Sequence, residues 1–281
     1  MTAAADELVV TQPSVSSSIA ALERELGCEL FERAGRGISL TDAGTTFLPY
    51  AADVLGLLER GRQAVGETAA MAARRLRIAA VTTAAESFVP PVMRAFSSAH
   101  PDVELTLDVG NRQYVFDRVL SHAADVAISG RPPADDRLVV EPLTDNEIAC
   151  ITAVDDPMAG VRAVAATELA HRPWLLREPG SGTRTLAEQF LAERGLSPKT
   201  LTLGSNGAIK QAARAGLGVS LISRAAVHAE LAAGRLGEIR LTDGPASRPW
   251  FVVRSAVGPV RAPVEAFIAF LVADGGLQAA A

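Results

Sequence analysis

From Leu76 onward, short apolar runs alternate with helical segments, and no other feature of the chain limits its fold as strongly. The runs fall at Leu76–Val81, Val103–Val109, Ala124–Ser129, Ile148–Ala153, Trp174–Leu176, Leu201–Leu203, Val219–Ile222 and Phe251–Val253. Helical patterns occupy Phe88–His100, Arg112–Ser121, Thr183–Arg194, Ala208–Ala215, Ala225–Ala233 and Val260–Val272. Strands alternating with helices build βαβ units, so an α/β fold with mainly parallel sheets, covered on both faces, is expected. Asp145–Glu147 lies between two apolar runs and reads as a hinge. It would separate two α/β halves.

Composition bounds the rest. The 281 residues suffice for about two domains. With 48% hydrophobic and 21% charged residues, the chain is no disordered protein. Arg, Asp or Glu interrupts every apolar run before a membrane span is reached. The start MTAAADELVV lacks a secretory signal, so a cytoplasmic location is expected. Cys28 and Cys150 stand far apart with no C-x-x-C or Cys/His cluster, and neither a metal nor a cofactor is called for. A net charge of −5 by itself predicts no polyanion partner.

Residues 42–75 read as one long helix, capped by Thr41 with Asp42 in its first turn. Phe47, Ala51, Val54, Leu58, Gly61 and Val65 follow spacings of four and three, the seam of a helix that pairs with a second copy. A single amphipathic helix lying on its own domain would show a similar stripe.

The N-terminal stretch is the most specific motif. Thr11 reads as an N-cap and Pro13 falls in the first turn, where its missing N–H is tolerated. Val15, Ile19, Leu22 and Leu26 form an apolar stripe ending at Gly27. Gln12, Ser14, Ser16, Ser17 and Ser18 lie opposite, and small polar groups at a helix N-terminus suit entry into a major groove. Leu30–Leu40 reads as a short β-wing with Arg33 and Arg36 near its tip.

The segment VTQPSVSSSIAALERELGCELFERAGRGISLTDAG resembles the winged helix-turn-helix of LysR-type transcriptional regulators. The resemblance covers essentially the whole chain. Within that family, VGNRQYVFDRV, ISGRPP, LLREPGSGTR and GSNGAIKQAARAGLGVSLIS resemble the branch of Calvin-cycle (RuBisCO operon) regulators. It implies a DNA-binding domain over 1–41, a linker and dimerisation helix over 42–75, and a two-lobed, periplasmic-binding-protein-like effector domain over 76–281, with lobe I at about 76–145 and 250–281 and lobe II at about 146–249. It also implies promoter DNA, a small effector, further copies of the chain as dimer or tetramer, and RNA polymerase as partners.

Two departures bear on these expectations. The helix with which the family usually opens, patterned LRxFxxVAxxGSFTxAA, has no counterpart in these residues; Met1–Ala5 match the start of the family's second helix. Either the start is assigned downstream of the true one, or the product binds DNA poorly. Family positions often held by Arg or Lys are Ser17 and Ala20 here, and residues 1–75 carry seven arginines against ten acids. DNA reading is therefore expected from Gln12, Pro13, Ser14, Ser16 and Ser17, with Arg33 and Arg36 on the backbone or minor groove.

A small-molecule site is expected at strand ends. Arg177-Glu178-Pro179-Gly180-Ser181-Gly182-Thr183-Arg184 follows a strand and opens a helix, where free N–H groups and the helix dipole favour an anion. It is neither a Walker loop nor a nucleophile elbow. Thr82, Thr83, Asn111, Arg112, Gly130, Arg131 and Asn206 end other strands or start helices on the same side, with Arg177, Ser181, Gly182 and Thr183 completing the set. A carboxylate or phosphate fits these groups, whereas Glu86 argues against a phosphorylated sugar. The four histidines fall at helix ends or exposed positions, and Asp135-Asp136 and Asp155-Asp156 read as solvated turns. No nucleophile has a base at a recognisable spacing, so no enzyme is expected. The rival is a cytoplasmic small-molecule-binding protein with a vestigial DNA-binding domain.

Overall fold

The computed structural model describes residues 1–34, 37–66, 74–161 and 163–273, which form two units, Met1–Leu58 and Glu59–Ala281.

In the first unit, α1 (Thr2–Glu7) and α2 (Gln12–Leu26) are joined by a tight turn. Thr11 caps α2 by accepting from the Ser14 amide, and Gly27 ends it in the left-handed conformation (φ 70°). The Glu23 carboxylate accepts from the amides of Leu30 (2.8 Å) and Phe31 (3.2 Å), tying α2 to the hairpin that follows. That hairpin pairs β1 (Phe31–Ala34) with β2 (Gly37–Leu40), Arg33 opposite Ile38. The helix α3 spans Asp42–Gly66. Thr41 starts it, accepting from the Gly44 amide at 3.0 Å while donating to the Glu29 carbonyl at 2.7 Å. Gly44 is required there, because a Cβ would collide with the Leu30 carbonyl oxygen. The helix does not run on through residue 75: Arg75 opens a strand, and residues 67–73 lie outside those described.

The second unit holds two lobes. In the first, β3 (Arg75–Val81), β4 (Glu104–Gly110), β5 (Val126–Ser129), β6 (Leu138–Asn146) and β12 (Arg248–Ser255) form one sheet, ordered β4-β3-β5-β12-β6. The pairs β3–β4 and β3–β5 are parallel, but β12 runs antiparallel to both β5 and β6. One face packs on helices Val89–Ala99 and Ala262–Val272, with Phe96 edge-on to Phe267 at 5.0 Å. The other face receives Val115, Phe116 and Val119 from the helix Arg112–Leu120.

The second lobe pairs β7 (Ile148–Thr152) antiparallel with β10 (Ser220–Ser223) and β11 (Gly237–Ile239), while β8 (Trp174–Arg177) and β9 (Thr200–Leu203) are parallel. Its core is built on Trp174, Leu169, Phe190 and Leu221, with Ile209 and Ile222 in a second cluster. The sheets are thus mixed, not mainly parallel, because β12 returns to the first lobe and β7 is flanked by antiparallel neighbours. Of the acids expected in solvated turns, Asp136 and Asp155 are exposed, whereas Asp135 pairs with Arg137 at 2.7 Å and Asp156 with Arg172. Burial would raise the Asp156 carboxyl, but hydrogen bonds from Arg172, Thr152 and the Met158 amide hold it down at about 2.

No helix among the described residues is long and apolar enough to cross a membrane. Cys28 is exposed, whereas Cys150 is buried and burial pushes its thiol up to about 12. A thiol reagent at neutral pH is therefore expected to label Cys28 alone, with Cys150 reacting only after denaturation; mass analysis of digested protein reads this directly.

Candidate ligand cavity and DNA-reading helix

A cavity of about 280 Å³ lies beyond the carboxyl ends of β3, β4 and β5 and the N-terminus of the helix Gly182–Glu193. Its wall brings together Thr82, Thr83, Asn111, Arg112, Gly130, Arg131, Arg177, Ser181, Gly182 and Thr183. These residues span a hundred positions of sequence, yet each ends a strand or starts a helix, which is why one cleft gathers them.

Local chemistry sets each in place. The Asn111 side chain caps the helix Arg112–Leu120 by accepting from the Tyr114 amide at 2.9 Å. Gly180, at φ 85°, passes over Asn111 so closely that a Cβ would sit 3.2 Å from its amide nitrogen. The Arg112 guanidinium donates to the Arg131 carbonyl at 2.9 and 3.1 Å, linking two strand ends. Ser181 precedes the helix Gly182–Glu193 without capping it through its side chain, so the first-turn N–H groups stay available.

Four arginines line the wall (Arg112, Arg131, Arg177 and Arg248), and among the described residues no carboxylate does. Their charges are not equally free. Arg177 is buried and donates to both Glu178 carboxylate oxygens at 2.7 and 2.8 Å. Arg112 and Arg248 are engaged by a carbonyl and by Gln189, respectively, leaving the exposed Arg131 as the most available cation.

Asn206 differs from the other ten expected site residues. It is not on the wall but fully buried behind it, accepting from Arg177 and donating to Thr83 Oγ1 (3.1 Å) and Glu86 (3.0 Å). Glu86 accepts from Asn206 and is absent from the wall.

Sequence reasoning missed Ser129, Asn146, Ser223, Arg248 and Trp250. Ser129 matters most: it ends β5, is fully buried, and its hydroxyl has no hydrogen-bond partner among the described residues. An orphan buried hydroxyl is a costly arrangement, and this one stands among the residues that line the cavity. The signal was present, since Ser129 directly precedes the expected Gly130 and Arg131.

On α2, Gln12, Pro13, Ser14 and Ser17 are exposed, whereas Ser16 is half-buried and accepts from the Gln12 amide at 3.0 Å. Arg33 is exposed on β1; Arg36 lies outside the described residues. On α3, Val54, Leu58 and Val65 are exposed, and Phe47 and Ala51 are half-buried.

Residues 1–45 match the bacterial regulatory helix-turn-helix protein, lysR family, and residues 69–275 match the LysR substrate binding domain. The chain is 38% identical over 270 residues to the HTH-type transcriptional regulator CbbR of Rhodospirillum rubrum, covering 95% of this chain and 89% of that one. It is 33% identical over 271 residues to a RuBisCO operon transcriptional regulator of Acidithiobacillus ferrooxidans, covering 96% and 87%. The regulatory domain of CcmR from Synechocystis PCC6803, solved in complex with 2-PG, superposes with a TM-score of 0.67 at 32% identity, over 71% of this chain and 96% of that one. The chain belongs to the LysR family of DNA-binding transcriptional regulators, in the branch of the RuBisCO operon regulators, and is a regulator with an effector-binding domain, not an enzyme.

Proposed function

We propose that this regulator senses a small anion, a carboxylate or a phosphate, held in the cavity between its two lobes. The observation that carries the reading is the cavity wall itself, with four arginines and, among the described residues, no acid. The N-terminus of the helix Gly182–Glu193 adds N–H groups and a favourable dipole. Thr82, Thr83, Asn111, Arg112, Gly130, Arg131, Ser181 and Thr183 supply the remaining contacts, and the 2-PG bound to the CcmR domain supports an anionic ligand of this size. Arg177, saturated by Glu178 and Asn206, shapes the wall more than it pairs with the ligand.

At the other end, Gln12, Ser14 and Ser17 address base edges or phosphates of promoter DNA, with Arg33 on the backbone. The exposed stripe of α3 meets the same stripe of a second copy, and the protein works in the cytoplasm, where RNA polymerase is its downstream partner.

Calorimetric titration of the full chain with 2-PG tests the cavity. Arg131→Ala is expected to weaken binding by about tenfold while leaving the thermal midpoint unchanged, since this wall cation is exposed. Unchanged affinity in Arg131→Ala, or no binding of 2-PG and of inorganic phosphate to the wild type, would contradict the reading.

A further inference from the structure

We propose that Asn206 fixes the direction of the Thr83 hydroxyl, so that the cavity offers a donor at Thr83 beside an acceptor at Thr82 and selects anions that also carry a hydroxyl group. The inference rests on the anion reading of the cavity and narrows its ligand class.

The orientation of the Asn206 amide follows from the valence of its neighbours. The guanidinium of Arg177 can only donate, so the Asn206 atom facing it is the carbonyl oxygen Oδ1. The amide nitrogen then faces two oxygens, Glu86 Oε2 at 3.0 Å and Thr83 Oγ1 at 3.1 Å. A carboxylate only accepts, which fixes the same orientation independently. With both N–H groups and the carbonyl engaged and the residue wholly buried, the amide cannot turn over without breaking all three bonds.

Thr83 Oγ1 is therefore an acceptor towards Asn206, and its one proton is still to be placed. The residue is buried, lies on the cavity wall, and has no other side-chain hydrogen bond among the described residues. Its proton is left for the cavity. Thr82 has the opposite polarity. Its hydroxyl donates to the Gly110 carbonyl at 3.2 Å, so only lone pairs remain for a ligand. Two consecutive residues at the end of β3 thus offer a donor and an acceptor side by side. An anionic oxygen satisfies Thr83, and a ligand hydroxyl satisfies Thr82, as in a hydroxy acid or a hydroxylated phosphate ester. An anion lacking the hydroxyl would leave Thr82 facing it with lone pairs only.

Two matched pairs of probes, titrated calorimetrically into the full chain, test this and separate the two sources of negative charge. They are 2-hydroxypropyl phosphate with propyl phosphate, and lactate with propionate. The pair that binds identifies the anionic group. Within it, the hydroxylated member is expected to bind the wild type about tenfold more tightly. Thr82→Val should abolish that preference by weakening the hydroxylated member alone. Thr83→Val and Asn206→Asp should weaken both members alike and keep the preference, since the carboxylate introduced by the second accepts from Thr83 and draws its proton out of the cavity. Retention of the preference also reports that the variant's site is folded. Equal binding of both members by the wild type, a preference that survives Thr82→Val, or wild-type affinity for both members in Thr83→Val would overturn the inference while leaving the anion reading intact. Failure of all four probes to bind would overturn both.

Discussion

Asp125→Ala is expected to destabilise the protein by about 3–5 kcal/mol, the cost of removing one partner from a buried charge cluster. The Asp125 carboxylate is almost wholly inaccessible and accepts from the Arg77 amide at 2.8 Å, the Arg77 guanidinium at 3.3 Å and Arg261 at 2.5 Å. Arg60 of α3 adds a further cation, its Nη1 3.4 Å from Nδ1 of the buried His122. Burial already works against the charge of Arg60, as do Arg261 and Arg77, while Asp125 favours it. Without the carboxylate, this group of guanidiniums loses a buried counter-charge, and the Arg77 amide loses its acceptor.

Acid should expose the same dependence. Burial alone would raise the Asp125 carboxyl, but Arg77 and Arg261 outweigh it and hold it below the ordinary carboxylate value. A lowered native value means that the contribution is complete above the unfolded value of about 3.9 and is lost as pH falls through the lower native one. Urea denaturation at neutral pH and through the acid range measures both effects. A loss below about 1 kcal/mol in Asp125→Ala would refute the cluster as a structural centre.

The second large effect concerns α3. Val54, Leu55 and Leu58 are each more than 60% exposed, too much apolar surface for a helix whose natural state is solitary. The variant carrying both Val54→Glu and Leu58→Glu is expected to sediment as a monomer and to lose about 10²-fold or more in affinity for a two-half-site DNA. Both follow from paired reading heads acting together, since each α2 alone offers few charged contacts. Unchanged mass and unchanged affinity would show that the stripe pairs with nothing.

The parts of this molecule that were legible in its sequence share a cause: they are set by neighbours in the chain. Thr11 and Thr41 cap helices through amides three residues on, and apolar runs such as those of β3 and β5 became strands because burial on both faces demands continuous hydrophobicity. β6 escaped notice because its pattern alternates, carries Pro142 and ends in Asp145 and Asn146. Its pairing with β12, more than a hundred residues away, decides the mixed sheet. β11, three residues long, gives too little pattern to read.

The cavity divides in the same way. Strand ends and helix starts could be named one by one, and ten of the eleven residues so named share one wall. The exception, Asn206, looks like a helix start open to a ligand. Only the approach of Thr83 and Glu86, some 120 residues earlier in the chain, claims its amide. Trp250 and Ser223 reach the wall on strands whose partners no local pattern announces.

The central claim, that one chain couples a small anion to promoter binding, is tested most directly by titrating the full chain against the DNA upstream of its own gene. The titration is run at two salt concentrations, with and without 2-PG. The account predicts sequence-specific binding that weakens with salt and a midpoint that shifts when 2-PG is present, the shift requiring about tenfold more 2-PG in Arg131→Ala. Specific binding whose midpoint ignores 2-PG and every other small anion supplied, or the absence of specific binding at both salt concentrations, would contradict it.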